Sequence, residues 1–282
     1  MREITCKAVT AEIERLYIEA ATVLQPSTAI LLECAAESES SPAAANALWD
    51  IIENFKQAAE SSSPICQNGG TAVVFADIGQ DVHITGGSFE LAVNEGVRRG
   101  YRRVMTGKNA AADSLRRIDT NDNMCALHVR PVEGDRLSLH VAIEGFNNMS
   151  AMKLFSPTAD IEEIEDFIVD AVSKAGAAAC PPLIIGIGLG GTVEQCALYA
   201  KRALLRNADM CNPDGFYAQM ERRVLEKINR LGIGPKGLDG KSLGGKFTAI
   251  AVNIETHPVH TAKLPCVVSI GCYATRHARK VL

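Results

Sequence analysis

Three cysteines sit where a thiol could be used rather than merely packed. Cys66 lies in the stretch PICQNGG, Cys180 in AACPPLIIGIG, and Cys272 in SIGCYATRHA. Each stands beside proline or glycine at a loop boundary, a setting that presents sulfur instead of burying it as a small hydrophobe. Three thiolates suit a 4Fe-4S cubane with three irons anchored and the fourth left open, a Lewis-acid centre able to hold a hydroxyl and a carboxylate. Three unrelated loop cysteines are the plainer alternative, and spacing alone favours it. The chain has nine cysteines but no CxxC pair, so a zinc ribbon or thioredoxin-type site lacks its local signature. Cys6, Cys34, Cys125, Cys196, Cys211 and Cys266 share no spacing and read as packing or incidental residues.

A second feature is the run Gly186-Ile-Gly188-Leu-Gly190-Gly191, which fits GxGxxG between an apolar strand and a helix. Free amides at that helix start could hold a phosphate or a carboxylate. Repeated βαβ units are lacking around it, and the acidic position about twenty residues on falls at Asp209, in a polar loop. Dinucleotide binding is therefore the weaker reading. His83, His128 and His140 alternate along strands and read as structural, as does His260 on its own residues alone.

Elements must position these groups. From Thr10 to Leu32 the spacing of Ile13, Leu16, Tyr17, Ala20, Ala21 and Leu24 marks a helical face that Pro26 should stop. Ser41-Pro42 opens a second amphipathic helix, closed by serines near residue 62, with Trp49 at a packing edge. Short β-branched runs follow over Thr71 to Ile84, then a helix from Glu90 to Arg103. CALHVRPV and RLSLHVAI read as a hairpin across Glu133-Gly134-Asp135. DIEEIEDFIVDAVSKAG is a helix with an acidic first turn and Gly176 as its stop. A buried strand, glycine loop and long helix come next, then the helix GFYAQMERRVLEKINRLG and a second glycine loop before FTAIAVNI. The pattern predicts one α/β domain over 1–282, with a helical N-terminal part over about 1–62 and a mixed sheet flanked by helices.

With 282 residues and 47% hydrophobic content, a sizeable core can form. A net charge of -4 gives no global attraction for nucleic acid or an anionic membrane. The basic stretch around Arg98 to Arg103 reads as a solvated helix end. No apolar stretch is long enough to span a bilayer, and MREITCKAV lacks the apolar core of a signal peptide, so a cytoplasmic location is expected.

Several blocks together resemble one family: GQDVHITGG, NEGVRRGYR, NMSAMK, CPPLIIGIGLGGTVEQCALYAKRALLR, INRLGIGPKGL and HPVHTAKLPCVVSIGCYATRH. The chain resembles the alpha subunit of the two-subunit class I fumarate hydratases and L-tartrate dehydratases, iron-sulfur hydro-lyases. The resemblance implies that Cys66, Cys180 and Cys272 hold the cluster and that His260 handles protons. It further implies that Gln67, Gly190, Gly191, Thr192 and Asn148 lie against the substrate. The implied reaction adds or removes water on a small hydroxy carboxylic acid, the open iron polarising a hydroxyl while a base takes a proton from the adjacent carbon. A beta subunit would supply the rest of the active site, in a heterotetramer or a homo-oligomer.

Four departures accompany the resemblance. Where the family reads CQDTG, this chain has Asn68 in place of the carboxylate, and an amide cannot exchange a proton at neutral pH. A family arginine falls at Gly107. The family's KGGGSEN loop becomes Glu144-Gly145-Phe146-Asn147-Asn148, and GLDGKSLGGK is longer than its counterpart. All four fall on the substrate side and predict an altered pocket on an intact cluster site. A cluster-carrying subunit without catalysis is the competing function.

Overall fold

Apolar periodicity and turn chemistry produce a mixed α/β fold, as the sequence predicts. The structure, a computed structural model, describes residues 1–105, 115, 125–145, 149–237 and 239–282. In chain order it opens with β1 (Arg2–Thr5), α1 (Cys6–Thr22), α2 (Pro26–Ser38), α3 (Pro42–Ser61), β2 (Thr71–Gly79) and β3 (Val82–Thr85). Next come α4 (Phe89–Val104), β4 (Cys125–Val132), β5 (Leu137–Glu144), β6 (Met149–Phe155) and α5 (Ile161–Ala175). After a short 3-10 turn at Gly176–Ala179 follow β7 (Leu183–Gly190), α6 (Val193–Leu204), α7 (Gly215–Asn229), β8 (Ala249–His257), β9 (Leu264–Cys272) and β10 (Arg276–Val281). No described helix is long and apolar enough to cross a membrane. Two compact units divide the chain: residues 1–25, 54–146 and 276–282 form the first, and residues 26–53 and 147–275 the second.

In the first unit Thr5 caps α1, its hydroxyl accepting the amide of Ala8 at 3.2 Å. The buried face of α1, Val9, Ile13, Leu16 and Tyr17, joins Val74, Leu139 and Val141 in one core. Helix α4 packs closely on α1 because two of its residues lack side chains. A Cβ on Gly96 would stand 2.7 Å from that of Ile13, and one on Gly100 2.6 Å from that of Tyr17. The two glycines of the NEGVRRGYR block thus serve helix packing. The sheet order is β10-β5-β2-β4, with β2 parallel to β4 and antiparallel to β5. A parallel pair of β1 and β3 stands beside it.

Two sequence expectations are corrected in local structure. β4 and β5 do not form a hairpin, because β2 lies between them. The buried run Ala72 to Ala76 claims the interior position, while β4, with no buried residue, takes the edge. The Gly134 turn instead wraps the end of β2, its carbonyl accepting the amide of Asp81 at 3.0 Å. Pro26 starts α2 instead of stopping a long helix, since a first-turn proline forfeits no intrahelical bond. The chain turns extended at Val23, after α1 has ended at Thr22.

The second unit is built on the sheet β6-β9-β7-β8. Every residue of β7 is buried, and its two faces differ by strict alternation. Ile185 and Ile187 enter a core with Ile168, Val172, Val224 and Ile254. Gly186 and Gly188 face α6, where a Cβ would overlap the carbonyl oxygens of Ala200 and Cys196. Much of the GxGxxG pattern thus serves close strand-helix packing. Asp160 caps α5 through the amide of Glu163 at 2.8 Å, and Gly176, at φ +53°, ends it.

β8 is the last strand of this sheet, yet its outer edge is not bare. The amide of Ile254 donates to Glu221 Oε1 at 2.8 Å, and its carbonyl accepts Asn212 Nδ2 at 2.7 Å. Arg206 donates to that same carbonyl at 3.3 Å and pairs with the buried Glu221.

Candidate functional site

Strand pairing brings two of the three predicted cysteines to one end of the second unit. Leu183, the first residue of β7, lies opposite Cys272, the last of β9, and Cys180 precedes Leu183 by only two prolines. Cys180 holds a left-handed backbone at φ +60°, its amide donating to Ala177 O at 3.1 Å. That conformation costs a non-glycine residue roughly 1–2 kcal/mol, so the surrounding turn imposes it. Cys272 O accepts the Thr275 hydroxyl at 2.7 Å. Both thiols are half-buried.

The second glycine loop closes on the same end. Gly234, at φ +64°, allows an approach to Gly244 that a Cβ would block. Buried Thr248 accepts the amide of Ile233 at 3.1 Å, while its carbonyl accepts the amide of Leu183 at 2.9 Å. Thus fixed, the loop presents Lys236, whose amide donates to Pro181 O at 3.2 Å and whose Nζ donates to Cys180 Sγ at 3.5 Å.

Cys66 belongs to the first unit, on a loop tied down at four points. The amide of Ile65 donates to Ala21 O at 2.9 Å, and Asn54 Nδ2 donates to Ile65 O at 3.1 Å. The Tyr17 hydroxyl reaches Gly69 O at 3.3 Å, and Arg276 donates through NH1 to Asn68 O at 2.7 Å. Arg276 is only 3% exposed. Burial pushes the Tyr17 hydroxyl pKa well above its ordinary value, against the nearby Arg276 charge, so Tyr17 acts as a neutral donor. Asn68 Oδ1 accepts the amide of Gly70 at 3.0 Å, a bond an aspartate could equally accept. Gln67 is exposed and Asn68 half-buried. Asn148 and Gly107 lie outside the described residues.

The remaining cysteines differ in setting. Cys6, Cys196 and Cys266 are buried, whereas Cys34 and Cys211 are exposed. Burial pushes the thiol of Cys125 up to about 12 and that of Cys196 to about 11, and it raises Cys266 further, so all three stay protonated. Within either unit, among the described residues, no three His, Cys, Asp or Glu side chains stand together as a metal cage. The three half-buried thiols have the soft-donor chemistry that an iron-sulfur group needs.

Gly190, Gly191, Thr192 and His260 lie at the other end of β7. Leu183 and Gly190, the ends of an eight-residue strand, stand seven rises apart, roughly 23 Å at about 3.3 Å per residue. Gly190 (φ +85°) and Gly191 (φ +70°) turn the chain into α6, and the amide of Gly191 donates to Pro258 O at 3.2 Å. The amide of Thr192 donates to Gln195 Oε1 at 3.1 Å, so this helix start is capped by its own side chain. His260 is exposed, and its Nδ1 accepts the amide of Ala262 at 3.2 Å. A cavity of about 170 Å³ adjoins Gly190 and His257, walled by Leu189, Ile164, Phe216, Tyr217, Met220 and Leu264. Its walls are mostly apolar, with Thr256 and His257 as the polar residues of the lining. Sequence reasoning missed Lys236 and Arg276, which lie inside the recognised blocks INRLGIGPKGL and HPVHTAKLPCVVSIGCYATRH but carry no local signal of their own.

Residues 10–281 match the family model described as fumarate hydratase (Fumerase). The chain is 36% identical over 277 residues to a Methanocaldococcus jannaschii protein named "Putative L(+)-tartrate dehydratase subunit alpha", covering 94% of each. It is 27% identical over 242 residues to the L(+)-tartrate dehydratase subunit alpha of Escherichia coli, covering 80% of this chain and 75% of that one.

Proposed function

Because the chain belongs to the fumarate hydratase (Fumerase) family, we propose that it is the alpha-type subunit of an iron-sulfur hydro-lyase. It adds or removes water on a small hydroxy carboxylic acid of the malate or tartrate type. Cys66, Cys180 and Cys272 are the thiolate ligands of its 4Fe-4S cluster. The placement of Cys180 and Cys272 at one end of β7 and β9 carries this reading. When bound, the cluster supplies a Lewis-acid iron for a hydroxyl oxygen.

The chain's own residues bind and orient. Arg276 fixes the carbonyl of Asn68 and with it the turn that bears Cys66 and Gln67. Gln67 and Asn68 offer amides that can hydrogen-bond a carboxylate or hydroxyl but move no proton. The proton on carbon must therefore pass to another group. His260 lies in the loop between β8 and β9, at the opposite end of β7 from Cys180, so it would serve such a site only from a second copy of the chain. The names of the relatives imply a beta subunit as further partner. Cytoplasmic residence suits nine free cysteines.

The test is to purify the chain anaerobically with its beta partner and count iron and sulfide. About four irons per chain are expected; none in the wild type would overturn the proposal. Asn68 favours a second reading, a cluster-carrying subunit without catalysis. Asn68→Asp separates the two, because an active enzyme with an altered pocket should gain fumarate or malate turnover while a purely structural subunit gains none.

A further inference from the structure

We propose that Lys236 tunes the cluster through a charge-assisted N–H···S hydrogen bond to Cys180. The inference rests on the cluster reading above and concerns Lys236, which immediately precedes the departing GLDGKSLGGK stretch. The glycine loop carries three lysines with different surroundings. Lys241 pairs with Asp239 at 3.8 Å, and Lys246 donates to Ser38 O at 3.0 Å while its amide meets Glu39 Oε2 at 2.7 Å. Lys236 pairs with no carboxylate among the described residues, and its Nζ points at Cys180 Sγ, 3.5 Å away.

The contact is built. The amide of Lys236 is tied to Pro181 O at 3.2 Å, and the residue bridges to Ser242 across the loop, so main chain and side chain clasp the Cys180-Pro181 turn together. A half-buried ammonium without a carboxylate partner loses part of its hydration, which an anion replaces best. A cluster-bound thiolate is such an anion. Hydrogen bonds and positive charge at the ligand sulfurs favour the reduced, more negative state of an iron-sulfur centre and so raise its reduction potential. This chain therefore carries a cluster with a higher potential than its thiolates alone would set.

The experiment compares the wild type, Lys236→Met and Lys236→Arg, each loaded anaerobically in complex with the partner. Iron and sulfide are counted and the midpoint potential is read by EPR-monitored titration. Lys236→Met should retain the cluster and shift the reduction equilibrium about tenfold toward the oxidised state, ~59 mV for a one-electron couple, with Lys236→Arg close to the wild type. Equal potentials in all three loaded proteins would overturn the inference and leave the cluster reading intact, even if Lys236→Met raises KM. Absence of iron from the wild type would overturn both. If Lys236→Met folds but loses iron, recovery of iron in Lys236→Arg supports the charge at the sulfur, and failure of that rescue overturns it.

Discussion

One strand carries two ends that are built for different purposes. At the Leu183 end, irregular backbone presents reactive groups: Cys180 in a left-handed turn, Cys272 where β9 stops, and Lys236 from a glycine loop. At the Gly190 end, the amides of Gly191 and Thr192 are taken by Pro258 and Gln195, and the adjoining cavity is mostly apolar. The lesson is that a block read as continuous in sequence can hold two jobs. CPPLIIGIGLGGT starts with a half-buried thiol on a left-handed turn, passes through strand-helix packing, and finishes as a capped helix start.

The strongest way to break this contrast is to exchange the thiols. Cys180→Ser or Cys272→Ser should abolish iron binding, whereas His260→Asn should leave the iron count unchanged. Retention of full iron in either serine variant would dissolve the distinction between the ends. Next in size is the effect of His260→Asn on turnover, expected at about 10²–10⁴-fold. Mixed assemblies of Cys180→Ser chains with His260→Asn chains should regain activity if the histidine serves a second copy. Failure of such hybrids, with both parents correctly assembled, would remove His260 from the chemistry.

A smaller effect comes from the first unit. His277 is buried beside His140, Nε2 to Nδ1 at 2.9 Å, and burial pushes its pKa down to about 4 from an ordinary 6.5. The unfolded chain takes up this proton as pH falls below 6.5, while the folded chain resists until about 4. Stability is therefore intact above pH 6.5 and declines between 6.5 and 4, by up to about 3 kcal/mol. Urea unfolding of the full chain at pH 7 and pH 4.5 should show this decline, reduced in His277→Gln. An equal decline in both proteins would assign acid sensitivity elsewhere. Smallest is Gly188→Ala, midway along β7, which should cost about 1–3 kcal/mol through overpacking against α6 and leave the cluster's potential unchanged.

Local chemistry made much of the fold legible. The helix over Pro42–Ser61, the caps Asp160 and Gly176, and the strand-glycine-helix passage at β7 all follow from patterns within a few residues. What stayed hidden depends on distance. The insertion of β2 between β4 and β5 is decided by which strand has the most surface to bury, which no turn signal reports. Short β1, β6 and β10 exist because of their partners. Cys66, Cys180 and Cys272 stood out through their proline and glycine neighbours. Arg276 did not, since its role is set by an Asn68 carbonyl 208 residues away in the chain. Lys236 was invisible for a similar reason: nothing in a glycine-rich loop tells which of its lysines meets a sulfur.

The side chains that meet the outer edge of β8 at Ile254 bear on how this chain can associate. An open edge invites a strand from any other chain, and unassembled subunits are the most exposed to that fate. Here Glu221, Asn212 and Arg206 already occupy the donor and acceptor of Ile254, so a strand arriving from outside finds no continuous ladder to extend. Any association at this point of the edge is thereby left to side chains instead of backbone zippering.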